Sequence, residues 1–174
     1  MRKLALLILV SLFTFSCGQL DELTEFEMDY ETSFTVPGNI PQGSTDTLTT
    51  PSVETNVSEQ FSNNNTEKGL VDEIVLSELN LTIDSPQDGD FSFLDEIKIY
   101  MKAGDMEDAL LVSKSDIPQD VGNTLELDPT SDNLKDYLFE DSYQMKVVLS
   151  TDETIQENHE ITISTVFTVD AEVL

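Results

Sequence analysis

The sequence predicts an all-β fold: an antiparallel β-sandwich of the immunoglobulin or fibronectin kind, with about seven strands and one or two short helical caps. Apolar and polar residues alternate over long stretches at both ends of the chain, which is typical of strands with one buried and one wetted face. Shorter runs of the same kind lie between them. Gly, Pro, Asn and Asp mark the breaks, as in the turns of a sandwich.

The first and last strands carry the clearest alternation. Over residues 26–36 every second position is apolar, aromatic or threonine, and acidic or hydroxyl residues fill the others. Residues 161–173 repeat the pattern. A helix would spread these acidic residues around its whole circumference, so both stretches are predicted strands. Five more strands are predicted between them, at 71–83, 91–103, 109–113, 124–127 and 142–150.

Two short helices are predicted to cover an open end of the sandwich. Residues 53–63 carry apolar side chains at positions i, i+4 and i+8, from Val53 to Phe61. Residues 132–139 are predicted to form one or two turns, because a Ser-Asp pair at the start of that stretch offers a helix cap. Around the first helix, the whole stretch 37–69 is predicted to be a long polar connection. Its Gly-, Pro-, Ser- and Thr-rich beginning could hold a weak edge strand.

The N-terminus has the three parts of a secretory signal. Residues 1–3 are Met-Arg-Lys, residues 4–15 are apolar apart from one serine and one threonine, and Ser16 is small. A membrane-spanning helix needs roughly 20 apolar residues, and this run is shorter. We therefore predict a signal peptide over 1–16, an acidic tether over 17–22 and a single β-sandwich domain over 23–174.

The only cysteine of the chain, Cys17, follows the signal directly. Because one thiol cannot form an internal disulfide, its position needs another explanation. The segment ending at Cys17 resembles the lipobox of bacterial lipoproteins, although Thr14 and Phe15 depart from the commonest form of that motif. The resemblance implies cleavage before Cys17 and acylation of its sulfur, with palmitate as a typical acyl chain, and two or more acyl chains anchor a protein stably. The alternative is an ordinary signal peptide with an incidental cysteine.

Three later segments extend this resemblance: 91–100, 134–138 and 161–171. Their sequences, FSFLDEIKIY, LKDYL and ITISTVFTVDA, together with Cys17, resemble a group of small Bacteroidota lipoproteins of unassigned function. The resemblance implies a lipoprotein of the cell envelope, held in the outer membrane on its periplasmic or its surface side. These segments consist mostly of core and cap residues, so the resemblance implies no catalytic residues.

The chain is strongly acidic, with a formal net charge of −27. Without the signal it keeps 6 of its 8 basic residues and all 35 acidic residues, a formal charge of −29. Nucleic acid is therefore excluded as a partner, since phosphate binding requires clustered lysines or arginines. An anionic lipid surface would also repel the domain, so a lipid would have to provide the anchor. Two interpretations of the acidity stay open: a surface adapted to salty water, and recognition of cations or a basic partner.

Residues for catalysis or metal binding are few. His159 is the only histidine and is predicted to be exposed in a hairpin between two strands. With so few nitrogen and sulfur ligands the sequence predicts no zinc site, no catalytic triad and no enzyme. Calcium is the one metal ion considered, because Asp84, Asp88 and Asp90 surround a turn that contains glycine. Such aspartates also serve to hydrogen-bond the turn itself.

These observations favour a membrane-anchored, non-catalytic lipoprotein that acts as an interaction or scaffold domain, with envelope proteins as partners. The alternative is a surface lipoprotein that binds a glycan or calcium. For a glycan, Tyr100 is the candidate, because it is predicted on the wetter face of a strand beside Lys98 and Lys102. No cofactor is predicted other than the lipid on Cys17.

Overall fold

A computed structural model describes residues 25–172 and residue 174. The predicted signal peptide, Cys17 and the acidic tether lie outside the described residues, and so does Val173 at the end of the last predicted strand. The strands in chain order are β1 (Glu25–Val36), β2 (Thr45–Thr49), β3 (Val53–Glu54), β4 (Val71–Ser85), β5 (Leu94–Ala103), β6 (Ala109–Ser115), β7 (Thr124–Leu127), β8 (Ser142–Thr151) and β9 (His159–Ala171). The helices are α1 (Val57–Asn63) and α2 (Lys135–Leu138).

Two antiparallel sheets pack face to face, so the predicted all-β sandwich is confirmed. Sheet 1 has the strand order β1-β9-β4-β7, and sheet 2 has the order β2-β8-β5-β6, with β3 also paired to β8. Nine strands are described instead of about seven. β2 is the weak edge strand predicted in the polar connection, and β3 lies where the first helix was predicted to begin. Helix α1 begins four residues later than predicted, and α2 three residues later.

The first and last strands are neighbours. β1 and β9 pair without interruption over 12 residues, from Glu25 opposite Asp170 to Val36 opposite His159. β9 therefore lies between β1 and β4 in sheet 1, although β8 precedes it in sequence and lies in sheet 2. An immunoglobulin constant domain differs at this point, since its first and last strands belong to opposite sheets.

The alternation of the long strands builds the core. Along β1 and β9 every second side chain turns inward, and those of Met28, Phe34, Ile163 and Phe167 are buried. Tyr30 is another of these inward residues of β1. Its ring lies edge-on to that of Phe167, with centroids 5.8 Å apart. Such aromatic pairs add to the stabilisation that burial provides. Within the described residues, no helix is long and apolar enough to cross a membrane.

The two ends of the sandwich are built differently. At one end, which we call the helical end, β1 begins and both α-helices cover the core. There the ring of Phe61 in α1 lies edge-on to the rings of Phe26 and Phe139, with centroids 6.1 and 6.0 Å apart. The opposite end, which we call the loop end, consists of residues 37–44, 86–93, 116–123 and 152–158. The predicted caps thus cover one end only.

Candidate functional site

The loop end is held together by hydrogen bonds between its segments. The amide of Gly38 donates to Oδ1 of Asn158 (2.8 Å), and the amide of Asn39 donates to the carbonyl of Ile155 (2.8 Å). The amide of Phe91 donates to the carbonyl of Gly122 (3.1 Å). These bonds join neighbouring loops to one another, so the loop end has a defined surface.

The three aspartates considered for calcium occupy the turn after β4. Oδ2 of Asp84 accepts a hydrogen bond from Oγ1 of Thr162 (2.7 Å). Oδ1 of Asp90 accepts one from the amide of Ser92 (3.0 Å), which caps the 3-10 turn Phe91–Phe93. Hydrogen bonding from the hydroxyl and the amide of Ser92 lowers the pKa of Asp90. Asp84 and Asp90 therefore have the turn-stabilising role that aspartates commonly take.

The structure does not bring these aspartates together as a ligand set. Over residues 25–172, no group of three or more His, Cys, Asp or Glu side chains is placed to hold a metal ion. Asp88 and Asp90 line the same depression at the loop end, whereas Asp84 turns to Thr162 on the neighbouring strand.

His159 differs from its prediction as an exposed hairpin residue, because it is buried, with 9% of its surface exposed. It is the first residue of β9 and lies opposite Val36, so its side chain turns inward like that of Ile161. The imidazole packs against Phe93, with ring centroids 4.9 Å apart. Its Nδ1 lies 3.1 Å from the carbonyl oxygen of Glu157. The prediction was wrong because the strand begins two residues earlier than its apolar pattern suggests.

A depression of about 230 Å³ opens beside this histidine. Its walls are the turn after β4 and the loop between β8 and β9. The lining residues are Pro86, Asp88, Gly89, Asp90, Ser92, Phe93, Glu153, Thr154, Ile155, Gln156, Glu157 and His159. Four carboxylates line the depression, and neither lysine nor arginine does, so the depression suits a positively charged group.

The outer face of sheet 2, which we call the mixed face, carries Tyr100. This tyrosine is half-buried and lies between Lys98 and Lys102, as its alternation predicts. Nζ of Lys146, on the paired strand β8, lies 4.5 Å from the centre of the Tyr100 ring and forms an ion pair with Asp108. The sequence did not indicate this contact, because it joins strands far apart in the chain. Lys146 lies over the face of the Tyr100 ring on which a sugar would stack.

The outer face of sheet 1, which we call the acidic face, has a different character. The four strands of this sheet contain no lysine or arginine. In one row across three strands, Glu25 lies opposite Asp170, and Asp170 lies opposite Glu73. The other exposed carboxylates of these strands are those of Glu27, Asp29, Glu31, Asp72, Glu78, Asp84, Glu126 and Glu160. Like charges directly opposite each other destabilise a sheet, so this face depends on solvent for screening.

Comparison with known proteins adds no family to these observations. No model of a protein family matches the chain, and no curated protein matches it either.

Proposed function

We propose that the chain is a membrane-anchored, non-catalytic lipoprotein whose sandwich domain binds other proteins in the bacterial cell envelope, at the outer membrane. The observation that carries the proposal is where β1 begins. Glu25 lies at the helical end and follows Cys17 by eight residues, a length of chain that spans at most about 29 Å. A lipid on Cys17 would thus hold the helical end towards the membrane and leave the loop end facing away from it.

A non-catalytic role is supported by the chemistry of the loop end. The only histidine of the chain is buried against Phe93, and its Nδ1 is engaged with the backbone carbonyl of Glu157. A general base needs to reach the proton that it abstracts, and a nucleophile needs a base beside it. The depression is lined by carboxylates, two hydroxyl groups and this imidazole, and the chain has no Gly-x-Ser-x-Gly turn that would expose a nucleophile.

The anchor is tested by expressing the full-length chain in bacteria fed labelled palmitate, beside Cys17→Ser and the matched control Ser16→Ala. Cys17→Ser removes the acylated sulfur, whereas Ser16→Ala keeps a small residue before the cleavage site. We expect label on the wild type and on Ser16→Ala and none on Cys17→Ser. The intact mass of the labelled proteins should match an acylated chain whose first residue is Cys17. An unlabelled wild type cut elsewhere would overturn the proposal.

The second candidate function is binding of a glycan or calcium. The sequence indicates Tyr100 for a glycan and Asp84, Asp88 and Asp90 for calcium, but Lys146 lies over the ring and Asp84 bonds Thr162 instead of joining the other two aspartates. Calorimetric titration with neutral oligosaccharides, for wild type and Tyr100→Ala, tests the first ligand. Thermal unfolding with and without calcium, for wild type and Asp88→Asn, tests the second. No heat and no shift in melting temperature would exclude this function.

A further inference from the structure

We propose that the free edge of β1 binds an extended segment of a partner protein in which basic and apolar residues alternate. The bound segment adds a strand to sheet 1 beside β1. This edge gives the proposed interaction function, on which the proposal rests, a surface and a partner chemistry. Four features support it: the unpaired backbone of β1, the space beside it, the incomplete cover of its inward side chains, and its charge.

β1 forms one edge of sheet 1, and β9 is its only described neighbour in the sheet. In an antiparallel pair, every second residue of an edge strand points its amide and carbonyl away from the partner strand. Over residues 25–172, no backbone group outside β9 bonds to the backbone of β1. Oγ1 of Thr165, on β9, donates to the carbonyl of Tyr30 (3.3 Å). β1 therefore presents donors and acceptors with which a further strand can pair.

The other edges of the described sandwich are short or covered. β7 has four residues and β2 has five. β6 bulges against β5, and the amide of Thr130 donates to its Leu111 carbonyl (2.8 Å) beside a bridge from Val112 to Pro129. β1 instead has 12 residues, no proline and no bulge against β9. Shortness, bulges, prolines and covering segments are the usual protections of an edge, and β1 lacks them.

Space for an added strand lies along both halves of β1. A groove of about 500 Å³ lies beside residues 31–33, and residues 51–54 form its other wall. A second depression, of about 440 Å³, is lined by residues 25–27 and by Thr168 of β9. Neighbouring strands lie about 4.8 Å apart. The described residues therefore leave room beside both halves of this edge.

The inward side chains of β1 are not all covered. Met28, Tyr30 and Phe34 are buried, whereas Phe26 and Thr32 on the same side of the strand are only half-buried. Phe26 and Thr32 line the two openings just described. An added strand turns every second side chain towards this side of the sheet. Apolar residues at those positions would cover Phe26 and Thr32 and remove apolar surface from water.

The outward side chains of β1 determine the other half of the bound segment. Glu25, Glu27, Asp29 and Glu31 are exposed on this side, and the neighbouring strand β9 contains no lysine or arginine. A basic residue on an added strand would lie opposite one of these carboxylates, and opposite charges in such cross-strand pairs attract. The favoured segment therefore has lysine or arginine at every second position and apolar residues between them.

A second copy of the chain fits this edge less well. Pairing of two β1 edges would place the carboxylates of both copies on one face of the joined sheet, where like charges repel. The edge therefore discriminates by charge, since it repels its own sequence and attracts a basic strand.

The test titrates the full-length chain, expressed in bacteria and kept in detergent, with the capped peptide Lys-Val-Lys-Val-Lys-Val-Lys. Two isomers of the peptide carry N-methyl groups, one on its lysine amides and the other on its valine amides. In a strand these two sets of amides point to opposite edges, so only one isomer keeps the amides that meet β1. We expect that isomer to bind like the parent peptide, and the other to bind at least about tenfold more weakly. Equal affinities of the two isomers, or no binding of the parent peptide, would overturn the inference.

Hydrogen–deuterium exchange locates the bound peptide. We expect the parent peptide to slow the exchange of amides in residues 25–36 and to leave those of residues 124–128 unchanged. Protection at another surface only would overturn the inference. Without peptide the chain should be a monomer by light scattering. A dimer with slow exchange in β1 would mean that a second copy occupies the edge, which would also overturn the inference.

Matched charge variants separate this edge from general attraction to an acidic protein. Glu27→Gln with Asp29→Asn removes two charges from β1. Glu126→Gln with Asp128→Asn removes the same residue types at the same spacing on the opposite edge of sheet 1, and all four side chains are exposed. We expect about a tenfold loss of affinity in the first variant and less than about a twofold loss in the second. Equal losses would overturn the inference.

Palmitate labelling is read separately from peptide binding. A labelled chain that does not bind the peptide would contradict only the role of the β1 edge. An unlabelled chain that binds it would contradict only the proposed anchor.

Discussion

The acidic face and the mixed face show two ways in which one sandwich carries its charge. On the mixed face, lysines stand between carboxylates: Lys98 pairs with Glu96, and Lys146 pairs with Asp108 and covers Tyr100. On the acidic face the strands have no basic residue, and Glu25, Asp170 and Glu73 lie in one row. The negative charge is thus compensated locally on sheet 2 and only by solvent on sheet 1. Repulsion between charges should therefore limit the stability of sheet 1 first.

A common core holds the two sheets together. Tyr30 of sheet 1 crosses this core with a hydrogen bond to the segment that follows β3 of sheet 2. Its hydroxyl donates to the carbonyl of Thr55, which lies between β3 and α1 (2.6 Å). Tyr30→Phe leaves that carbonyl without its donor, so we expect the free energy of unfolding to fall by about 2 kcal/mol in urea titrations.

Tyr143→Phe is the matched control for this change. The hydroxyl of Tyr143 is buried in the same aromatic cluster and has no hydrogen-bond partner in the described part of the chain. Its removal should therefore cost much less than that of the Tyr30 hydroxyl. Equal losses in the two variants would show that the link between the sheets contributes nothing specific.

High pH weakens the same link. Burial raises the pKa of Tyr30 from 10.0 to about 12. The unfolded chain loses this proton from about pH 10, but the folded chain keeps it until about pH 12, so stability falls as pH rises through that range. We expect the stability advantage of wild type over Tyr30→Phe to shrink between pH 10 and 12. A constant difference, measured by urea titration at each pH, would contradict the assignment.

Asp170→Lys should make the acidic face resemble the mixed face. The new lysine would lie opposite Glu25 and Glu73, so two repulsive contacts would become attractive. We expect stabilisation by about 1 kcal/mol at low salt in urea titrations, and a smaller gain for Asp170→Asn. Both gains should decrease in 1 M salt, where charges are screened. Gains that do not depend on salt would have a cause other than repulsion.

Lys146→Met removes one of the positive charges that compensate the carboxylates of the mixed face. The side chain would lose its ion pair with Asp108 and its contact with the ring of Tyr100. Because both charged groups are about 30% exposed, we expect a loss of only about 0.5 kcal/mol by thermal unfolding. Lys102→Met, on the same face and exposed, is the control and should cost less.

Lys98→Gln should have the smallest effect. Hydrogen bonding to Glu96, 2.5 Å away, raises the pKa of Lys98, but both side chains are more than a third exposed. Exposed ion pairs contribute little because water and salt screen them. We expect no measurable change in melting temperature. A drop larger than that of Lys146→Met would mean that exposed pairs also hold the mixed face together.

The long strands were predictable because each carries its own signal. β1, β8 and β9 alternate over ten or more residues, so their inward faces follow from sequence alone. β2 has a single inward apolar residue, Leu48, and it forms only because β8 offers pairing about a hundred residues later. No local pattern encodes that pairing. The same limit explains why β3, with two residues, was not predicted.

The site was less predictable than the fold because it depends on contacts between distant segments. The acidic turn at Asp84, Asp88 and Asp90 was visible in the sequence, but its neighbour His159 was not, since the two approach each other only through the pairing of β4 with β9. The contact of Lys146 with Tyr100 has the same origin. Alternation indicates which side a residue faces, but not which residue of another strand it meets.

The pairing of β1 with β9 has a consequence for the protein while it is being synthesised. β1 leaves the ribosome first, yet its only described neighbour in the sheet is the last strand to appear. During that interval an alternating strand of 12 residues has no partner and could pair with other chains. Its four outward carboxylates, at Glu25, Glu27, Asp29 and Glu31, discourage such association. The repulsion that destabilises the folded sheet thus protects the nascent chain from association with other chains.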